Sequence, residues 1–270
     1  MLVETPPLLD MNEYPRFRDS LPPCQMREGK YLIRFAGSRE DLDDVQRLRF
    51  EVFNLELGEG LESSFQTGRD LDEYDLACHH LMVIEAATEK VVGTYRLQTG
   101  AMAAAATGFY SATEFDLSHL PLEVLEDSVE LSRACIAKDF RNTQVLFLLW
   151  KGLASYIAFN RKRFLFGCCS LTSQDAAEGK LAMELLERDG HLHQSYFVPP
   201  KNGFECYSPD FKVASPFQVK LPKLFRSYLK IGVKVCGPPA IDRLFKTIDF
   251  FVLFDLFEMD RQTQKMFFGV

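Results

Sequence analysis

Two spacings of apolar residues run through this chain, one of about 3.6 positions and one of about 2, and their alternation divides it into helices and strands. Val45, Leu48, Val52, Phe53 and Leu55 recur at helical spacing. Ser38-Arg39-Glu40-Asp41 stands before them as a helix cap, Asp43 and Asp44 lie near the positive helix end, and Gly58 closes the segment. A short strand is expected over 30–36. Two β-rich runs, 80–86 and 91–97, are parted by the polar Thr88-Glu89-Lys90 and read as a hairpin. A small-residue loop follows at 100–108. Beyond it come a strand over 129–137, a strongly apolar helix over 145–159, a compact buried strand over 163–169 and an amphipathic helix over 175–188. A Pro-rich connection at 198–216 leads to a helix from near Leu221 and then to an aromatic run over 250–257.

This order predicts an α/β fold with one mixed central sheet and helices on both faces. Pro6, Pro7, Pro22 and Pro23 mark residues 1–28 as an irregular arm lying on the domain, and 29–270 is read as one domain. With 270 residues, 47% of them hydrophobic, the chain can bury a full core without a second domain.

Charge is more telling divided than summed. Residues 1–150 hold 26 acids and 14 bases while 151–270 hold 12 acids and 17 bases, so the net charge of −7 hides a basic back half. The split argues against nucleic acid as a partner and leaves a positive surface for an acidic protein or an anionic membrane. No run approaches the ~18–20 apolar residues of a membrane span, and the acidic, Pro-rich start differs from a basic-then-apolar leader. The expected location is the cytoplasm, with peripheral contact to the inner membrane as the alternative. The seven cysteines are odd in number and scattered, so they read as small buried hydrophobes. There is no CxxC and no matching histidine set, and no metal site is expected.

Four short stretches, Arg49-Phe50-Glu51-Val52-Phe53, Asp72-Glu73-Tyr74-Asp75, Val91-Val92-Gly93-Thr94-Tyr95-Arg96 and Glu130-Leu131-Ser132-Arg133, together resemble the signature shared by acyl-homoserine-lactone synthases and ornithine N-acyltransferases. The resemblance to the second family is the closer and runs from about residue 34 to 252. It takes in Tyr110-Ser111-Ala112-Thr113-Glu114-Phe115-Asp116-Leu117, Leu148-Leu149-Trp150-Lys151-Gly152-Leu153, Leu165-Phe166-Gly167-Cys168-Cys169-Ser170 and Pro239-Ala240-Ile241-Asp242-Arg243. Some members of that family are called hemolysin-like. The resemblance implies a GNAT (N-acetyltransferase) fold and transfer of a 3-hydroxyacyl or related long chain from acyl carrier protein to the α-amine of ornithine, giving a lyso-ornithine lipid. The carrier thioester is then a co-substrate and no cofactor is permanently bound. Relatives use glycine or other amino acids.

Attack on a thioester needs a neutral amine, which an acid placed beside the ammonium can supply. Strand alternation puts Glu130 and Ser132 on one face and Leu131 and Arg133 on the other. An acid on a core strand singles out Glu130, either as base or as the partner of a buried arginine. The resemblance adds Ser132 and Arg133 to it and gathers Arg49, Asp72, Asp75 and Arg96 into a buried ionic network that shapes the acceptor site. Phe53 and Phe115 belong to the same substrate-binding group. Arginine's planar fork suits the amino acid's carboxylate.

GNAT enzymes that use coenzyme A carry a glycine turn for its pyrophosphate, whereas Lys138-Asp139-Phe140-Arg141-Asn142-Thr143-Gln144 has no glycine. That favours a carrier-bound pantetheine, with Arg141 beside it and backbone N–H groups at Cys135 and Ile136 for the oxyanion. Lys220, Lys223, Arg226, Lys230 and Lys234 step by three or four along one helix side, opposite Leu221, Leu224, Phe225 and Tyr228. Such a stripe docks acidic carrier protein, meets anionic lipid, or is simply solvated. The competing chemistry is a nucleophilic cysteine at Cys168-Cys169, and the late aromatic run lines an acyl pocket, rests on a bilayer or packs in the core. A coenzyme A acetyltransferase and a membrane-lytic protein are the rival functions.

Overall fold

The computed structural model describes residues 14–215 and 217–268. Among them, nine strands form one sheet: β1 (Gln25–Glu28), β2 (Tyr31–Phe35), β3 (His79–Glu85), β4 (Lys90–Thr99), β5 (Ser128–Ile136), β6 (Phe164–Leu171), β7 (Lys234–Val235), β8 (Ala240–Asp242) and β9 (Thr247–Asp255). Their order across the sheet is β1-β2-β3-β4-β5-β6-β9-β7, with β8 also on β9. Among these pairings β5 with β6 is parallel and the others are antiparallel. The helices are α1 (Arg39–Phe50), α2 (Ser64–Thr67), α3 (Gly100–Ala104), α4 (Leu122–Glu126), α5 (Thr143–Asn160), α6 (Ala176–Arg188), α7 (Lys223–Lys230) and α8 (Arg261–Phe268).

A parallel pair needs a crossover, and α5 supplies it between β5 and β6. It is apolar nearly all round, as a helix sunk in the core must be, and Val145, Leu148, Leu149 and Leu153 pack on Tyr95, Leu97 and Val129. On the other face α1 lays Leu42 and Val45 on Met82 and Ile84. Phe115 and Leu117, from helical turns over 110–119, cover Phe166, Phe251 and Leu253 there. The GNAT-type mixed sheet with helices on both faces is thus the observed architecture.

Three local expectations change, and one choice left open is narrowed. Of the arm expected over 1–28, residues 1–13 lie outside the described residues, and its end forms β1, which turns through Gly29 (φ 59°) to pair with β2. The loop over 100–108 begins as α3, capped by Thr99. Helix α1, capped by Ser38 as expected, does not run on regularly but widens into π-type turns over Glu51–Glu56, where the Leu57 N–H reaches back to the Val52 carbonyl. The aromatic run belongs to β9, all nine residues of which are buried, so Phe250, Phe251 and Phe254 are core and not a bilayer contact; Phe257 lies past the strand and is 76% exposed.

The middle of the sheet is irregular on both sides of β5. Strands β5 and β6 pair only from Ser128↔Phe164 to Leu131↔Gly167, although β5 continues to Ile136 and β6 to Leu171. A Cβ on Gly167 would lie 2.2 Å from the Leu131 carbonyl oxygen, so glycine allows the final contact, and beyond it the strands part into a wedge. On the other side of β5 the register jumps from Arg96↔Ser132 to Thr94↔Cys135. Arg133 and Ala134 therefore face Tyr95 together as a bulge, with Arg133 in the left-handed region (φ 50°) at a cost of about 1–3 kcal/mol.

Candidate active site

The bulge overturns the expected facing of Arg133. Alternation set it opposite Ser132, but one extra residue resets the period, and Arg133 emerges on the side of Arg96 and Ser132. Arg96 donates from Nε to Ser132 Oγ (2.9 Å) and from Nη1 to Asp72 (2.5 Å) and Asp75 (2.9 Å). Arg133 donates from Nη2 to the same Asp72 (3.1 Å) and from Nε to Asp70 (3.2 Å). Arg49, on α1, bridges Asp70 and Asp75 at 2.7 Å each. Three guanidinium groups thus meet three carboxylates, and the network is balanced in charge. Burial works against ionising Asp75, yet Arg49, His80 and Arg96 hold it well below the usual carboxylate range. Asp70 lies just outside the Asp72-Glu73-Tyr74-Asp75 stretch, so the sequence reading does not single it out.

Glu130 is 2% exposed, and its two oxygens accept the backbone N–H groups of Tyr110 (2.8 Å) and Ser111 (2.6 Å). Burial raises its pKa, and these hydrogen bonds oppose the rise. The acid thereby fixes the turn that lays the Tyr110 ring over Arg133 (4.6 Å) and Arg96 (5.1 Å).

A cavity of about 950 Å³ passes through the wedge. On the α5 side its wall is apolar, made by Leu149, Trp150, Leu153 and Phe254 with the Tyr95 and Tyr228 hydroxyls bonded to one another, and the α8 residue Phe267 stacks on Trp150 at 5.1 Å. On the other side the wall is polar, with Ser132, Arg133, Ser170, Thr172, Glu59 and Asp249. Glu59 follows the π-type turns and accepts a hydrogen bond from Thr172 just beyond β6. Burial pushes its carboxyl up to about 7, with the Thr172 bond holding it back in part. Burial also raises Asp249, which lies beside Ser170 in the sheet.

Of the residues singled out in the sequence, Phe53, Ser132, Arg133, Cys135, Ile136, Arg141 and Lys223 line the cavity, and Glu130 does not. Arg49, Arg96, Asp72 and Asp75 stand behind the cavity wall and are linked to it through Arg133 and Ser132. Phe115 is fully buried against Phe251, so the expectation of a substrate contact there is corrected to core packing. Lys220 precedes α7 instead of lying on it, and with Arg226 and Lys230 it is exposed, away from the cavity wall. The Ala137 N–H donates to Val92, so alternation turns the Ile136 N–H, and not that of Cys135, into the wedge. Burial drives the Cys168 and Cys169 thiols above their ordinary range, and Cys168 Sγ meets Ser111 Oγ at 3.6 Å with no histidine beside it among the described residues, which removes the nucleophilic reading. Glu59, Glu114, Asp242 and Asp249 had no role read for them in the sequence, although Glu114 and Asp242 lie in stretches that carry the resemblance, because only the fold gathers them. Three of them, Glu114, Asp242 and Asp249, bring carboxylate oxygens within 4.8 Å of one another.

A mixed sheet whose single described parallel pair parts over a cavity that is apolar at one end and polar at the other defines an acyltransferase of the GNAT class. The family description "Acetyltransferase (GNAT) domain" matches residues 48–151. An L-ornithine N(alpha)-acyltransferase of Brucella abortus is 32% identical over 84% of this chain and 85% of its own, and one of Rhodobacter capsulatus is 30% identical over 88% and 94%. The chain belongs to the L-ornithine N(alpha)-acyltransferase family. Among solved structures, the acyl-homoserine-lactone synthase LasI aligns at a TM-score of 0.47 with 14% identity over 90% of this chain and 96% of that one. FeeM, an N-acyl amino acid synthase from uncultured soil microbes, aligns at 0.47 with 10% identity over 84% and 92%.

Proposed function

We propose that this chain transfers a long acyl group from an acyl carrier protein thioester to the α-amine of ornithine. The observation that carries the reading is the wedge between β5 and β6, continuous with the cavity on both faces of the sheet. A pantetheine thioester lying in the wedge puts its chain against Trp150, Tyr228 and Phe254, and leaves its carbonyl to an amine arriving from the polar side. Family membership supports ornithine as that amine.

Glu59 takes the proton from the ammonium: it lines the cavity, and burial pushes its carboxyl up to about 7. Glu130 is a positioning residue that sets Tyr110 over Arg133. The amine nitrogen attacks the thioester carbon, the oxyanion takes the Ile136 N–H, and collapse breaks the C–S bond as the nitrogen's second proton passes to the departing sulfur. Asn142 already accepts the Val145 N–H at 3.0 Å, and the turn before α5 has no glycine, so coenzyme A's pyrophosphate finds little there and the carrier is the better donor.

Purified protein incubated with long-chain acyl carrier protein and ornithine should give an N-acylated amino acid by mass spectrometry, with 3-hydroxyacyl chains included in the donor set. Lack of product with every amino acid offered overturns the reading; turnover of acetyl-coenzyme A without carrier replaces the donor.

A further inference from the structure

The polar end of the cavity holds more carboxyl groups than proton transfer needs. Asp249, on β9, lines the wall. Behind it are Glu114, which follows the turn over Tyr110–Thr113, and Asp242, at the end of β8. Glu114 is 1% exposed and Asp249 4%, and both Glu114 oxygens and Asp249 Oδ1 have no hydrogen-bond partner. Among the described residues none of the three has an ion-pair partner. Lys201, near Glu114 in the fold, turns its Nζ to the Ala112 carbonyl. In the arginine network each buried carboxylate meets a guanidinium, and the buried Glu130 is held by two backbone N–H groups. Here two carboxyl groups stand beside a cavity with no cation, Asp249 Oδ2 accepting only from Thr247 Oγ1 (3.0 Å), and a buried acid without a counter-charge is costly to ionise unless a cation arrives to meet it.

We propose that Glu114 and Asp249, backed by Asp242, form the seat for the acceptor's side-chain ammonium, so that this site selects a diamino acid over a monoamino one. The inference rests on the reading of an amino acid as acceptor and deepens it by naming what is recognised. Arg133 lies close enough to bear on Glu114 electrostatically. Its Nε and Nη2 are committed to Asp70 and Asp72, which leaves Nη1 for the acceptor's carboxylate. The amino acid is then held at both charged ends, with its α-amine between them. Without a cation the acids keep a proton: burial and Asp249 raise the Glu114 carboxyl to about 10. A divalent metal fits less well, since hard cations take six to eight oxygens and the acids lie among Phe115, Phe166 and Phe251.

The test compares ornithine with norvaline, which is ornithine without the terminal amine, as acceptors for the full-length enzyme and a long-chain carrier thioester. Wild type should favour ornithine in kcat/KM by about 100-fold or more, because the acids stay unanswered under norvaline. In Glu114→Gln and Asp249→Asn, each checked for folding by thermal melting, the ratio should collapse toward one, mainly through a rise in KM for ornithine. Equal use of the two acceptors by wild type, or an unchanged ratio in both folded variants, overturns the ammonium seat while leaving acyl transfer intact. Binding of Mg²⁺, Mn²⁺ or Ca²⁺ that Asp249→Asn abolishes makes the trio a metal site and also overturns it. Absence of product with any amino acid defeats the underlying reading instead.

Discussion

Arg133 holds a left-handed backbone in mid-strand while its guanidinium spans Asp70 and Asp72. Arg133→Ala keeps the Cβ, so the backbone strain stays, and it leaves two buried carboxylates short of a partner; breaking such a pair costs about 3–5 kcal/mol. A drop of roughly 10 °C in melting temperature is expected, and a change within error would mean that the network does not depend on this residue. Glu59 gives a pH test. Its folded pKa, about 7, lies above the ordinary 4.5, so the folded state keeps a proton that the unfolded state has lost between those values, and this group's contribution to stability falls as pH rises through that window. Activity moves the other way, since the proton acceptor must be ionised. The acid limb of kcat should lie near 7 and vanish, with most of the rate, in Glu59→Gln. If that limb survives there and disappears in Glu130→Gln, Glu130 is the acceptor. These residues differ in how far the sequence betrayed them. Glu130 stood out as an acid on an apolar strand, whereas the bulge that turns Arg133 arises from its pairing with β4, and period counting assumes that no such bulge exists.

Elements were legible wherever one period ran long enough. Helices α1, α5 and α6 and the β3–β4 hairpin lie where apolar spacing put them, because each buries a continuous face. Strand β1 was hidden by Pro22 and Pro23 just before it, and the helical turns over 110–126 are too short to show a period. The wedge was invisible for another reason: β5 and β6 are each ordinary strands, and their separation is a property of the pair. Helix α8 has a consequence for substrate length. Phe267 stacks on Trp150 at the apolar end of the cavity, so Phe267→Ala should lengthen the space available there. The product distribution from a mixed pool of acyl donors should shift toward longer chains, and an unchanged distribution would place the chain's end elsewhere.

At the scale of the whole molecule, the division of charge finds a location in α7, where Arg226 and Lys230 are exposed and, among the described residues, without ion-pair partners. If this helix receives the carrier, Arg226→Glu with Lys230→Glu should raise KM for the carrier thioester about 10-fold at low salt, and the difference should fade as the Debye length drops from about 10 Å at 0.1 M to 3 Å at 1 M. A short pantetheine thioester should respond far less, and an equal response from both donors would remove α7 from docking. Among the described residues no helix is long and apolar enough to cross a membrane. The opening in the sheet has one more effect. In the proposed pose tail and head group lie on opposite sides of a wall, joined through a slot by the new amide, and neither end can simply lift away. The reaction therefore finishes with its product threaded, and unthreading should be the slow event: rapid mixing of excess ornithine with loaded carrier should show one fast turnover per enzyme, then a slower steady rate that lipid vesicles or detergent quicken.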